Sequence, residues 1–146
     1  MKKLIFIALF IFTSLGFSGE YFVKDFGYID LPSGFELQSS RENGKTFVNI
    51  DLDIKAELFV MPGIFGMQNI LKTEAQLYKT NINNVKTLYS NSYSIGFAFT
   101  TPDDNNILTS CNFGRNDNIY CIEVAYSNKR DVDTAVRIIK SYRWLN

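Results

Sequence analysis

Cysteines and carboxylates are the residues of this chain whose chemistry could support a reaction. The sequence contains no histidine, which excludes Ser-His and Cys-His nucleophile pairs and removes the commonest general base near neutral pH. An enzyme would depend on carboxylates such as Asp51, Asp53 and Glu57, whose spacing could place two of them toward a sugar cleft. The solvent face and exit of a strand explain the same spacing more simply. We therefore expect no catalytic site.

The two cysteines are placed to bond to each other. Strands are predicted over Ile107–Phe113 and Ile119–Ser127, with a five-residue hairpin loop between them. If the loop is centred on Asn116, antiparallel pairing sets Cys111 opposite Cys121, close enough to bond. A metal site would need more ligands than two thiols. The sequence therefore predicts a disulfide between them.

Neither a cofactor nor a metal ion is expected. The turn at 103–106 is rich in oxygen ligands, but it lacks the spaced acidic residues and the distal glutamate of a calcium loop. The segment from Gly63 to Gly66 lacks the lysine and the glycine spacing of a phosphate-binding loop. Zinc and haem sites lose their usual nitrogen ligand, because histidine is absent.

One apolar loop is a candidate partner-binding segment. Pro62 interrupts a strand pattern, yet the residues around it are apolar, namely Met61, Ile64, Phe65 and Met67. Methionine and aromatic side chains adapt well to binding surfaces, so this loop could meet a partner. The alternative is a loop folded onto the core beneath the next helix.

Tyrosine is abundant, with eight residues in the chain. Tyrosines could line a ligand groove, although ordinary positions at the edge of the core explain most of them. The eight are Tyr21, Tyr28, Tyr78, Tyr89, Tyr93, Tyr120, Tyr126 and Tyr142.

The N-terminus has the pattern of a secretory signal peptide. Lys2 and Lys3 precede a short apolar run, and small residues follow it up to Ser18, after which we place the cleavage site. The apolar run is too short to span a bilayer comfortably, and no cysteine lies near the cleavage site for lipid attachment. We expect a periplasmic or secreted protein with a signal peptide over 1–18 and one domain over 19–146.

The charge balance of the chain excludes two classes of partner. Without Lys2 and Lys3, 13 basic residues remain against 15 acidic ones, a net charge of −2. Such a chain offers no phosphate-neutralising surface, so we expect no nucleic-acid partner. It also lacks a polybasic patch for anionic lipids.

The elements follow the order strands, helix, strands, helix. Alternating apolar residues predict strands over Thr46–Leu52, Lys55–Met61 and Tyr93–Thr101. The small face of the last of these, from Ser94 to Thr100, leaves room for something bulky, most simply a helix. Two stripes of apolar residues at helical spacing predict two helices. The first stripe consists of Met67, Ile70, Leu71, Ala75, Tyr78 and Ile82. The second consists of Val132, Ala135, Val136, Ile139 and Tyr142.

Antiparallel connections and two amphipathic helices predict the fold class. We expect an α+β domain with a central, mainly antiparallel sheet packed by two helices, on one face or on both. The segments Tyr28–Phe35 and Ala135–Tyr142 resemble the first strand and the last helix of PsbP-like and DcrB-like proteins. The resemblance covers about residues 21–144, although that family usually has Trp where this chain has Phe35. It implies an α/β/α sandwich used as an extrinsic subunit, chaperone or envelope protein rather than as an enzyme.

Two hypotheses for function follow. The first is an exported, non-enzymatic envelope protein that binds another protein in an accessory, chaperone, inhibitor or immunity-type role. The second is a small-molecule binding protein with an aromatic pocket between sheet and helix. An enzyme built on Asp51, Asp53 or Glu57 is the least favoured interpretation.

Overall fold

Two antiparallel sheets form the scaffold. The computed structural model describes residues 19–146, so the predicted signal peptide over 1–18 lies outside the described residues. The small sheet comprises β1 (Gly19–Val23), β2 (Gly27–Leu31) and β10 (Arg143–Trp144), with β2 in the middle. The large sheet comprises β3 (Glu36–Arg41), β4 (Gly44–Asn49), β5 (Ile54–Pro62), β6 (Lys86–Ser90), β7 (Ser94–Thr100), β8 (Asn106–Phe113) and β9 (Asn118–Tyr126). Its strand order is β3-β4-β5-β9-β8-β7-β6.

Helices α1 (Met67–Leu77) and α2 (Val132–Ser141) lie on opposite faces of the large sheet. Neighbouring residues of a strand point to opposite faces. On β9, Ile122 belongs to the same buried cluster as Ile138 of α2, whereas Cys121 belongs to the cluster that contains Ile70 of α1. Neither helix of the described chain is long and apolar enough to cross a membrane.

The predicted α+β class, the antiparallel pairing and the two helices are confirmed, but the fold contains more sheet than expected. The first two strands do not join the large sheet; they pair with each other, and β2 also pairs with the C-terminal strand β10. Gly27 permits this pairing, because its φ is +122° and a Cβ there would lie 2.2 Å from the carbonyl oxygen of Arg143. The chain end therefore closes a second sheet.

The predicted strand Thr46–Leu52 is too long by three residues. β4 ends at Asn49, and Ile50 in the following turn is 84% exposed. The buried Asn49 side chain accounts for the ending: its Nδ2 donates to the carbonyl of Ser33, and its Oδ1 accepts from the amide of Leu52. An alternating apolar pattern cannot reveal that long-range hydrogen bond.

The first helix also ends earlier than its apolar stripe predicts. α1 stops at Leu77, and Ile82 lies in a separate turn. Lys79 adopts a positive φ of 52°, and the amide of Thr80 donates to the carbonyl of Ala75 at 2.8 Å. This left-handed residue with its closing hydrogen bond is a common way to end a helix.

The cysteine hairpin is confirmed. Residues of β8 and β9 pair with Cys111 opposite Cys121, and the two sulfurs are bonded. Both cysteines are fully buried beneath α1. A buried disulfide is compatible with an oxidising, extracytoplasmic compartment.

Candidate functional site: an aromatic cavity beside the last helix

A cavity of about 400 Å³ lies between the large sheet and α2. Its volume falls within the range of about 300–1,000 Å³ that small-molecule sites occupy. β6 and β8 supply one wall, and α2 with the segment that follows it supplies the other. The apolar lining consists of Leu88, Tyr89, Leu108, Val136, Ile139, Tyr142 and Trp144.

A β-bulge shapes the sheet side of this cavity. Along β6, Thr87 pairs with Phe97 and Tyr89 pairs with Gly96, which leaves Leu88 as the extra residue. A bulge breaks the strict alternation of side chains along a strand. Consecutive residues Leu88 and Tyr89 therefore both line the cavity.

Tyr89 lies across β7 and reaches the next strand. Its hydroxyl is 2.6 Å from Oγ of Ser110 on β8. Gly96 lies between them in the ladder, and a Cβ there would be 2.2 Å from Cε1 of Tyr89. The small face of β7 thus accommodates the ring of Tyr89 at Gly96, where we had expected a helix.

The helix side of the cavity is anchored by a buried tyrosine. The hydroxyl of Tyr142 donates to the carbonyl of Phe26 at 2.9 Å. Burial, together with the neighbouring Tyr120, raises the pKa of Tyr142 above its ordinary value, so this phenol stays protonated as a donor. The ring is therefore fixed against the small sheet.

Polar side chains also belong to the lining, namely Thr109, Ser110, Asn112 and Lys140. Nε1 of Trp144 is buried and has no hydrogen-bond acceptor among residues 19–146. Lys140 lies exposed in the last turn of α2, and within the described chain it is the one charged residue that lines the cavity. The site thus combines an apolar body with hydrogen-bond donors.

A second cluster consists of two buried carboxylates between α1 and the large sheet. Glu74 of α1 and Glu123 of β9 are both buried, and the hydroxyl of Tyr78 donates to Oε1 of Glu123. Burial, the charge of Glu123 and a hydrogen bond with it raise the pKa of Glu74 from 4.5 to about 9. Burial and the charge of Glu123 also raise the pKa of Tyr78 well above its ordinary value. Glu74 is therefore protonated at neutral pH.

This carboxylate pair lies outside the lining of four cavities formed by the described residues. A larger cavity of about 590 Å³ lies nearby and is lined by Tyr78 and Lys55, but neither Glu74 nor Glu123 is among the described residues that line it. Through the raised pKa of Glu74, the pair makes the stability of the fold depend on pH.

The carboxylates named from the sequence do not come together. Asp51 and Asp53 lie exposed in the turn after β4, where Asp53 accepts a hydrogen bond from Ser127. Glu57 lies opposite Glu123 on the ladder and pairs with Lys55 at 3.6 Å. Sequence reasoning missed Glu74, although its spacing from the apolar positions 70, 71 and 78 places it on the buried stripe.

The predicted partner-binding loop is partly described. Met61 is half-buried and packs against the cluster beneath α1, whereas Ile64 is 99% exposed in the turn Gly63–Phe65. The side chains of Phe65 and Met67 lie outside the described residues. Of the loop members whose side chains are described, Ile64 is the one that offers an exposed apolar surface.

Comparisons with known proteins provide a likeness of fold. No protein-family model and no curated protein matches the chain. A crystal structure of a protein from Bacteroides thetaiotaomicron, at 1.50 Å resolution, matches with a TM-score of 0.54 and 9% sequence identity. The match covers 88% of this chain and 49% of that chain. This chain therefore spans about half the length of that protein, and the likeness concerns the fold alone.

Proposed function

We propose that this protein is an exported, non-enzymatic binding protein that holds a small apolar molecule in the aromatic cavity beside α2. The observation that carries the proposal is the cavity itself, about 400 Å³ in volume and bordered by Tyr89, Tyr142 and Trp144. Ligand sites are typically apolar concavities with a few placed polar groups. The second hypothesis from the sequence is therefore the one that the geometry favours.

The walls of the cavity are held in place before any ligand binds. Tyr89 is fixed by Ser110 across Gly96, and Tyr142 is fixed by the carbonyl of Phe26. Side chains that are already ordered lose little conformational entropy on binding. This rigidity favours a binding site over a packing defect.

Filling the cavity should weaken ligand binding. Val136 lies half-buried on α2 and lines the cavity, so Val136→Phe places a ring in the space that a ligand would occupy. We expect the neutral fluorescent probe N-phenylnaphthylamine to bind the unaltered protein saturably. We expect the V136F variant to bind it at least about tenfold more weakly, a loss equivalent to about 1.4 kcal/mol.

Val48→Phe is the matched control for this experiment. Val48 is half-buried like Val136, but it lines the larger cavity near Tyr78. The same enlargement there should leave probe binding unchanged. Equal binding by V136F and the unaltered protein, or an equal loss in V48F, would contradict the assignment of the site.

Binding to another envelope protein is the second candidate function, and the exposure of Ile64 favours it. A 99% exposed isoleucine gains free energy when a partner covers it. If this surface is used, a protein enriched from envelope extract should be lost with Ile64→Asp. Ile50→Asp is the control, since Ile50 is 84% exposed in a different turn. Undiminished capture by the I64D variant would exclude this loop.

We also propose that the protein is exported and that it is related to the PsbP-like and DcrB-like proteins. A buried disulfide supports export to an oxidising compartment, either periplasmic or extracellular. Helices on opposite faces of the large sheet agree with the α/β/α sandwich that the PsbP-like and DcrB-like resemblance implies. Binding rather than catalysis fits the roles of that family.

A further inference from the structure

We infer that the ligand of the aromatic cavity is an amphipathic carboxylate, with its apolar body inside the cavity and its carboxylate at Lys140. This inference rests on the proposed function, because it names the ligand class of the same site. The charges and hydrogen-bond donors at the cavity wall indicate the ligand class, which the volume and the aromatic lining alone do not determine.

Charge at the cavity wall has one sign. Among the described residues that line the cavity, Lys140 carries a positive charge and no aspartate or glutamate is present. Lys140 forms no ion pair within residues 19–146. An unpaired ammonium beside an apolar cavity attracts an anionic group and repels a cationic one.

Neutral polar side chains belong to the same wall, because Thr109, Ser110 and Asn112 also line the cavity. Nε1 of Trp144 is buried, so the indole lines the cavity with its ring rather than with its N–H group. A carboxylate offers two oxygens and can accept both from the ammonium of Lys140 and from a neutral donor of this wall.

The donor set favours a carboxylate over a phosphate. Phosphate sites usually combine arginine forks or several backbone amides, which match a group with more oxygens and more charge. Here the described lining offers one ammonium and the neutral side chains of Thr109, Ser110 and Asn112, with no arginine. A fatty acid or an aromatic acid therefore fits the cavity better than a phosphorylated molecule.

Three ligands with the same chain and different head groups test the inference. Dodecanoate, dodecanol and dodecylammonium would each displace N-phenylnaphthylamine at neutral pH, below their critical micelle concentrations. We expect dodecanoate to bind about tenfold more tightly than dodecanol, because a charge-assisted hydrogen bond is stronger than a neutral one. We expect dodecylammonium to bind most weakly, since Lys140 repels it.

Two lysine variants separate the head-group contact from the cavity. Lys140→Gln should lower the affinity for dodecanoate about fivefold to tenfold, to near that for dodecanol, and leave dodecanol binding unchanged. Lys129→Gln is the control, because Lys129 is also exposed but does not line this cavity. It should change neither affinity.

Each outcome decides between the two proposals. Equal affinities for the three ligands, or an unaltered preference in the K140Q variant, would overturn the carboxylate assignment and leave the binding function intact. Absence of probe binding to the unaltered protein would overturn both. The expected order, with loss of the preference in K140Q alone, supports both.

Discussion

Glu74→Gln should stabilise the protein by several kcal/mol at about pH 8 and have little effect at about pH 4. Burial, the charge of Glu123 and the hydrogen bond with it raise the pKa of Glu74 to about 9 in the folded state, against 4.5 in the absence of those effects. The folded protein therefore binds one more proton than the unfolded chain between these two values. In that window each pH unit costs the folded state about 1.4 kcal/mol.

The direction of the pH dependence follows from the raised pKa. Below about pH 4.5, Glu74 is protonated in both states, so its burial carries no charge penalty. As the pH rises toward 9, the unfolded chain gains by releasing a proton that the folded protein retains, and stability falls. Glutamine keeps the shape, stays neutral at every pH and can still donate to Glu123.

Urea denaturation of the two proteins between about pH 4 and pH 9 measures this effect. The difference in the free energy of unfolding should grow with pH in favour of the E74Q variant. Glu36→Gln is the control, because Glu36 is exposed on β3 and its substitution should leave the profile unchanged. Parallel profiles for E74Q and the unaltered protein would contradict a buried, protonated Glu74.

Loss of the Cys111–Cys121 bond should destabilise the protein by about 3 kcal/mol. The bond closes a short loop, with a sequence separation of 10, and restricts the unfolded chain accordingly. It also fixes the register of β8 and β9, which occupy the centre of the large sheet. We expect the fold to persist when the bond is lost, because the hairpin is packed on both faces by buried clusters.

Denaturation with and without reductant separates the cross-link from the packing of the sulfurs. Reduced protein retains both sulfur atoms, so its lower urea midpoint reports the cross-link. The variant in which Cys111 and Cys121 are both alanine should show no response to reductant, with a further loss from the vacated volume. Identical midpoints for oxidised and reduced protein would show that the bond contributes no stability.

The hairpin was the part of the fold best predicted from sequence. Its register depends on local features alone: the loop length, the alternation along both strands and the two cysteines. The position of Cys111 opposite Cys121 therefore followed from counting residues. The packing of α2 on Ile122 and Val124 was also foreseeable, because the helix follows the hairpin directly and carries a matching apolar stripe.

The aromatic cavity was predicted as a type of site, and Tyr89 and Tyr142 were among the tyrosines named for it, but its other residues were not predicted. Two features create it: the bulge at Leu88 and the close approach of Tyr89 to Gly96. A bulge depends on how two strands pair, which a single strand's alternation does not encode. The pairing of Trp144 with the small sheet likewise depends on a contact between the two ends of the chain.

The carboxylates named as candidates from the sequence are not the ones that the structure brings together, and the reason is physical. Sequence proximity drew attention to Asp51 and Asp53, which a turn leaves exposed. Glu74 and Glu123 are far apart in sequence and meet because α1 lies across β9. The helical spacing of Glu74 and the strand alternation of Glu123 each place the side chain on a buried face. Only the packing of α1 on β9 brings the two side chains into contact.

The indole N–H resonance of Trp144 provides the most direct test of the aromatic cavity as a ligand site. Trp144 is the only tryptophan in the chain, so one indole signal reports on the cavity without further labelling. Titration with dodecanoate should shift this signal saturably in the unaltered protein and in the V48F variant, whereas V136F should require at least about tenfold more ligand for the same shift. A signal that stays fixed while the ligand perturbs other residues would contradict the proposed site.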